Sequence, residues 1–295
     1  MKITHILVGY QADQRGDDAL VLAGLLARTG DIRVTIAHVI PSPPQPPGPT
    51  KVDPEWRAYL LEQAEITLRA AAAHPALRGL HPAYTTVAHR GSGRGLDQLA
   101  GKIEADLIVI GSAPGGERGK IVIGSAADQL LHRSHVPVAV VPACYADQHP
   151  TALDRITVAY RKEPVSDAAA KLAASAAASF VVPLRLLTVM LHGPRPSQTE
   201  DRLMGRIRVQ LEKDLAAATR GPRRRAALAD VTAEVIEGHD AAEALAQTTW
   251  LPGELLICGS SPTGPIRRVF IGDMSLKILR AAPCPVLILP RPPKQ

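Results

Sequence analysis

Aromatic side chains are scarce, with Phe, Trp and Tyr together making up 3% of the 295 residues. Single-stranded nucleic acid is gripped by stacking bases on such rings, so the composition argues against nucleic acid as a partner. Cysteine is scarcer still. Cys144, Cys258 and Cys284 are an odd number, and no two have the spacing of a metal knuckle or a redox pair. No apolar stretch approaches the ~20 residues a membrane-spanning helix needs. The opening run, Met1 to Gly9, has the pattern of a short strand and not of a secretory leader. These features together lead us to expect a cytoplasmic protein with no membrane contact.

Signatures of catalysis are missing as well. There is no Gly-x-Ser-x-Gly elbow and no Walker sequence, which needs Lys followed by Ser or Thr after its glycines. His132 and His135 lie three apart, but no carboxylate or cysteine cluster accompanies them. Histidine near the end of a helix is favoured by the dipole alone. No nucleophile–base set assembles, so the expectation is a binding protein without catalytic residues or a metal site, with weak ATP hydrolysis, for which Glu117 is the one nearby carboxylate, as the alternative.

What is present is an uneven charge and a repeat. The net charge is +6, and all of the excess falls in residues 148–295, which hold 20 basic and 14 acidic side chains. The run Arg223, Arg224, Arg225 has two readings, a polyanion contact or a solvated helix face. The segments Gly111–Pro142 and Gly259–Pro290 are each 32 residues long, align without a gap and share ten identical residues. Upstream, Asp106–Ile110 pairs with Glu254–Cys258 at the same offset of 148, and Ile6–Tyr10 pairs with Ile156–Tyr160 at 150. One duplicated domain explains this pattern. The polar stretch Asp147–Thr151 suits a linker, which places the domains at 1–146 and 152–292.

Each half alternates strands with helices. In the first, strands are expected at Ile3–Tyr10, Arg33–Ile40, Tyr84–Ala88, Leu107–Gly111 and Val136–Val141. Helices are expected at Asp17–Thr29, from Asp53 with Pro54 in its first turn, at Gly95–Ile103 and at Gly124–His132. A Pro-rich loop at 41–49 separates the second strand from the second helix. The alternation implies an α/β fold of two tandem doubly wound domains, each a five-stranded, mainly parallel sheet with helices on both faces. Ligands of such sheets bind beyond the carboxyl ends of the strands, where strand order reverses.

The chemistry sits in the loop after the fourth strand, Gly111-Ser112-Ala113-Pro114-Gly115-Gly116-Glu117-Arg118-Gly119-Lys120, followed by Gly124-Ser125. Glycines let backbone N–H groups turn toward a phosphate. Gly124, Ser125 and Ala126 open the fourth helix, whose start offers unpaired donors and the positive dipole end. Arg118 and Lys120 could neutralise phosphate charge.

This arrangement resembles the universal stress protein family, which carries Gly-x2-Gly-x9-Gly-Ser/Thr after strand four and in which many members bind ATP. The resemblance runs over nearly the whole chain, twice, and implies Rossmann-like domains. Here the loop reads Gly111-x2-Pro114-x9-Gly124-Ser125, with Pro114 in place of the second glycine and Gly115 beside it. The second half reads Gly259-x2-Pro262-x9-Gly272-Asp273, and Pro265 removes a further N–H. A carboxylate near a triphosphate costs repulsion, so the second half is expected to be degenerate. Gln11 and Arg161 stand where ATP-binding members usually place Asp. The resemblance implies a base pocket of Val39 and Ile110, and a role in stress signalling for ATP or a related adenine nucleotide, with Mg²⁺. Cys258 aligns with Ile110 and reads as a small buried hydrophobe.

In this family the fifth strand pairs between subunits. In a tandem chain it implies an intramolecular pseudo-dimer, with a homodimer of whole chains as a further option and with protein partners unidentified. The alternative is a nucleotide-free scaffold that keeps the fold and binds partners. Pro114, Gln11, Arg161 and Asp273 favour it.

Overall fold

The computed structural model describes residues 3–42, 54–193, 198–225, 230–259 and 273–290. Most of the Pro-rich loop, Asp53 and the second-half loop containing Pro262, Pro265 and Gly272 lie outside those residues. The first half runs β1 (His5–Gly9), α1 (Gln14–Arg28), β2 (Arg33–Ile40), α2 (Pro54–Ala72), β3 (Ala83–Ala88), α3 (Ser92–Lys102), β4 (Leu107–Gly111), α4 (Ser125–Arg133) and β5 (Val138–Val141). The second runs β6 (Arg155–Ala159), α5 (Pro164–Phe180), β7 (Leu184–Leu191), α6 (Gln198–Arg225), β8 (Val231–Gly238), α7 (Ala241–Ala246), β9 (Glu254–Cys258), α8 (Asp273–Ala281) and β10 (Val286–Ile288). Arg223, Arg224 and Arg225 thus close α6.

The strands form one ten-stranded sheet in the order β3-β2-β1-β4-β5-β10-β9-β6-β7-β8. Each half contributes five parallel strands, and only the β5–β10 pair is antiparallel, with Val138 opposite Ile288 and Val140 opposite Val286. Each half therefore keeps the expected five strands, but the two sheets are fused. Both β5 and β10 are buried along their whole lengths. Burying a Val, Leu or Ile side chain contributes about 1.5–3 kcal/mol, so apolar burial outweighs the short ladder in holding the halves together. The antiparallel joint keeps equivalent faces on the same side. One core holds the buried faces of α1, α2, α5 and α6; the other holds those of α3, α4, α7 and α8.

Local chemistry moves several element ends from their expected places. Helix α1 begins before Asp17, because the Asp13 carboxylate accepts the N–H groups of Arg15 and Gly16 and caps it. Strand β5 begins after Pro137, which has no N–H to give; its carbonyl still accepts from Ile108 at 3.0 Å. The backbone just before the polar linker is pinned to the first half. The buried Asp18 carboxylate accepts the N–H of Cys144 at 3.0 Å and of Ala146 at 2.8 Å, and burial raises its pKa.

The amino ends of the strands have diverged between the halves. In the first, the His5 ring bridges Ile103 O at 3.0 Å and Thr35 Oγ1 at 2.8 Å. A carbonyl only accepts, so Nδ1 carries the hydrogen, and in the neutral ring Nε2 accepts from the threonine hydroxyl. In the second half, Arg155, Arg185 and Glu254 hold the corresponding places. Arg185 is 3% exposed and Glu254 is fully buried. The Arg185 guanidinium donates to Glu254 Oε1 at 2.8 Å, Thr157 Oγ1 at 3.0 Å, Thr248 Oγ1 at 2.7 Å and Glu234 Oε2 at 3.1 Å. Its far side lies 4.7 Å from the centre of the Trp250 ring.

Breaking a buried pair strands the surviving charge, so Glu254→Leu is expected to lower stability by about 3–5 kcal/mol in urea denaturation. His5 yields a pH dependence. Burial, then the charge of Arg33, lowers its pKa from 6.5. The unfolded ring protonates near 6.5 and the folded ring only below it. Its share of stability is complete above that pH and is lost as pH falls toward the folded value. Melting temperatures from about pH 7 to about pH 5 are expected to fall less steeply in His5→Gln than in the parent.

Candidate functional site

A cavity of about 220 Å³ opens beyond the carboxyl ends of β1, β2 and β4. This is the place where strand order reverses, since β1 lies between β2 and β4. Its apolar wall is Ala37 and Val39 from β2, Leu96 from α3 and Ile110 from β4. The backbones here pack closely. A Cβ on Gly111 would lie 2.2 Å from the carbonyl oxygen of Arg15, so only glycine lets β4 end against the first turn of α1.

Two helix starts form the polar end. Gly124 is extended at the cap of α4, and no side chain bonds the first N–H groups of that helix. Gly91 at the cap of α3 likewise supplies no side-chain bond. The two starts touch: a Cβ on Gly93 would lie 2.4 Å from Ala126 O. The Gln129 side chain of α4 accepts the Arg94 N–H of α3 at 3.2 Å. Ser92, Ser125 and Ala126 all line the cavity, so unpaired donors and two positive dipole ends face the same space.

Of the site residues expected from sequence, Gln11, Val39, Ile110, Gly111, Gly124, Ser125 and Ala126 line this cavity together. Gly115 is outside its wall. It takes φ 85° and serves the turn that follows Pro114. The loop cations are engaged elsewhere, contrary to expectation. Lys120 Nζ donates to Ala281 O at 3.3 Å, at the carboxyl end of α8 in the other half, where the dipole favours a cation. Arg118 pairs with Asp147 at 2.9 Å.

The cation that does line the cavity is Arg15, which sequence reasoning passed over. Its Nε donates to Asp13 Oδ2 at 3.0 Å, and its Nη2 donates to Gln11 Oε1. The available signal was its place in the first turn of α1, four residues after Gln11. Among the described residues no group of three or more His, Cys, Asp or Glu is placed to hold a metal ion.

At the corresponding place in the second half, the described wall is Ala159, Tyr160, Arg161, Glu163, Val189, Gly259, Met274 and Ser275, with others. Asp273 begins α8 as an exposed acid paired with Lys277 at 2.7 Å, an arrangement that complements the dipole. Cys258 is fully buried, which pushes its thiol up to about 12 and leaves it a packing group.

A duplicated, doubly wound α/β chain with a cavity at its switch point has a Rossmann-like architecture. The family model for the universal stress protein family matches residues 2–142 and again 152–290, and the chain belongs to that family. A universal stress protein of Mycobacterium tuberculosis is 34% identical over 97% of this chain and 99% of its own length. The crystal structure of a universal stress protein from Archaeoglobus fulgidus superposes with a TM-score of 0.65, covering 98% of this chain and 99% of its own, at 19% identity. A functionally unknown protein from Pseudomonas aeruginosa gives a TM-score of 0.57 at 15% identity, over 97% and 92% of the two chains. These likenesses show the fold. No described helix is long and apolar enough to cross a membrane.

Close packing at the cavity floor makes a steric prediction. Gly111→Ala is expected to cost about 1–3 kcal/mol, because the obstacle is backbone and cannot swing aside. A Cβ at Gly101, late in α3, meets nothing within 4 Å. Gly101→Ala is therefore expected to stabilise by about 0.5–1 kcal/mol, and paired urea titrations check both.

Proposed function

We propose that the first half holds an adenine nucleotide in this cavity as a sensor of cellular state, without turning it over. The single observation that carries the reading is the meeting of two helix starts and Arg15 at the polar end of a cavity whose other wall is apolar. An apolar slot suits a purine ring, and the donors suit its phosphate. Family membership supports adenine as the base. The described cavity wall carries no carboxylate and no histidine, which supports binding without turnover. Three free cysteines suit a reducing cytoplasm. The domains are taken as 1–146 and 152–292, with one chain standing for a pseudo-dimer through β5 and β10.

The scaffold reading is favoured by one specific set of observations: Pro114 lines the cavity, and both loop cations have other partners. In the second half, Arg161 lines the cavity and Asp273 opens the helix, which supports a copy that has lost nucleotide.

A ligand that binds only the folded chain raises stability by about 2.7 kcal/mol at a hundredfold excess over Kd. A thermal shift is expected when AMP, ADP or ATP is added to the full chain. It is expected to vanish in Ala126→Asp, which sets a carboxylate at the start of α4. Absence of a shift with all three nucleotides at millimolar concentration would favour the scaffold.

A further inference from the structure

The second helix of each half covers one outer end of the sheet, α2 beside β3 and α6 beside β8. The two helices have diverged. α2 has 19 residues, with two basic and three acidic side chains, whereas α6 has 28, with eight basic and four acidic. The run Arg223, Arg224, Arg225 falls in the added length at the carboxyl end of α6.

Spacings of four, seven and eleven residues return to nearly the same side of a helix with about 3.6 residues per turn. Arg202, Arg206, Lys213 and Arg220 follow those spacings and are all exposed. Arg224 lies four residues further along the helix and continues the spacing. The buried Leu215 and Thr219 mark the opposite side. At 1.5 Å per residue, the row from Arg202 to Arg220 is about 27 Å long.

No acid interrupts the row; Val209, Ala216 and Ala217 fill it, all exposed. The described acids nearby lie off it and have cations of their own. Glu212 pairs with Arg208 at 3.1 Å, Asp214 pairs with Lys162 at 2.8 Å, and Glu237 of β8 also meets Arg208. Among the described residues, the four cations of the row have no acidic partner.

A straight row on the outermost side of a helix can meet a plane with all its charges at once. Val209 is 50% exposed within the row, and Leu203 is 55% exposed beside it. Nucleic acid phosphates have no use for these apolar groups, whereas the boundary between lipid headgroups and acyl chains accepts both kinds. We infer that the outer face of α6 docks on a membrane surface rich in anionic lipid. Arg202, Arg206, Lys213 and Arg220 meet headgroup phosphates, and Val209 and Leu203 enter the boundary. The expectation of no membrane contact rested on the lack of a spanning stretch, which surface contact does not need.

Co-sedimentation of the full chain with vesicles of phosphatidylcholine alone, or with about one third phosphatidylglycerol added, tests this. Binding to the mixed vesicles is expected to be at least about tenfold stronger, and to fall steeply as salt rises from about 0.05 M to about 0.5 M. Arg206→Gln and Lys213→Gln are each expected to weaken it about fivefold. Val209→Gln is expected to weaken it about threefold. Melting temperatures are expected to hold in all three, since these side chains are exposed. Arg57→Gln on α2 is expected to leave vesicle binding unchanged. No preference for the mixed vesicles, or binding undiminished when Arg206→Gln and Lys213→Gln are combined, would overturn the inference. Binding of a short DNA duplex with vesicles left unbound would overturn it as well and give the row to nucleic acid.

Discussion

The antiparallel ladder between β5 and β10 is the constraint on which the rest of the molecule depends. A parallel sheet covered by helices ends in an apolar strand, and such an edge recruits other chains unless it is paired. Here each half closes the other's edge. The joint leaves only β3 and β8 at the margins of the sheet. Since β5 and β10 are buried on both faces, the two cores run unbroken from one half to the other. The linker shares in this, because Asp18 of α1 fixes the backbone at Cys144 and Ala146 and so sets where the second half begins.

The duplicated frame has tolerated divergence at one end of its strands and kept the pattern at the other. At the amino ends, a neutral pair of His5 and Thr35 in one half stands opposite a buried guanidinium–carboxylate network around Arg185 in the other. The two clusters answer differently to change. Protonation disturbs the first, while loss of one ionic partner disturbs the second. Both halves keep the same strand order, and at these matching positions it is the side chains that differ. At the carboxyl ends, both halves keep a concavity between the first, second and fourth strands, as the topology requires.

Much of this was legible in the sequence, for identifiable reasons. The repeat at offsets of 148 and 150 disclosed the duplication, and buried apolar runs disclosed β2 and β4 to the residue. Element ends that depend on one side chain were harder, as with the Asp13 cap and the Pro137 start. Seven of the eight expected binding residues line one cavity because they flank strand ends and helix starts, which periodicity locates. Arg118, Lys120 and Arg15 could not be sorted in the same way. Where a long side chain reaches depends on partners far away in sequence, and Ala281 is 161 residues from Lys120. The fusion of two sheets into one was anticipated only as a pairing of halves, since register across a joint leaves no periodic trace.

That last contact links the architectural constraint to the chemistry of the site. Pairing β5 with β10 brings the loop after β4 within reach of the carboxyl end of α8, which belongs to the other half. A helix end rich in unpaired carbonyls draws a cation, and Lys120 is the cation within reach. The residue that sequence proximity would give to a phosphate is therefore given to the interface. A free-standing copy of the first half would have no α8 beside this loop, and its lysine would face the cavity or solvent. Fusion thus acts on where this lysine is held as well as on edge protection. Arg15, which lines the cavity, is itself paired with Asp13, so the cavity's polar end rests on two helix starts and this pair, all within the first half.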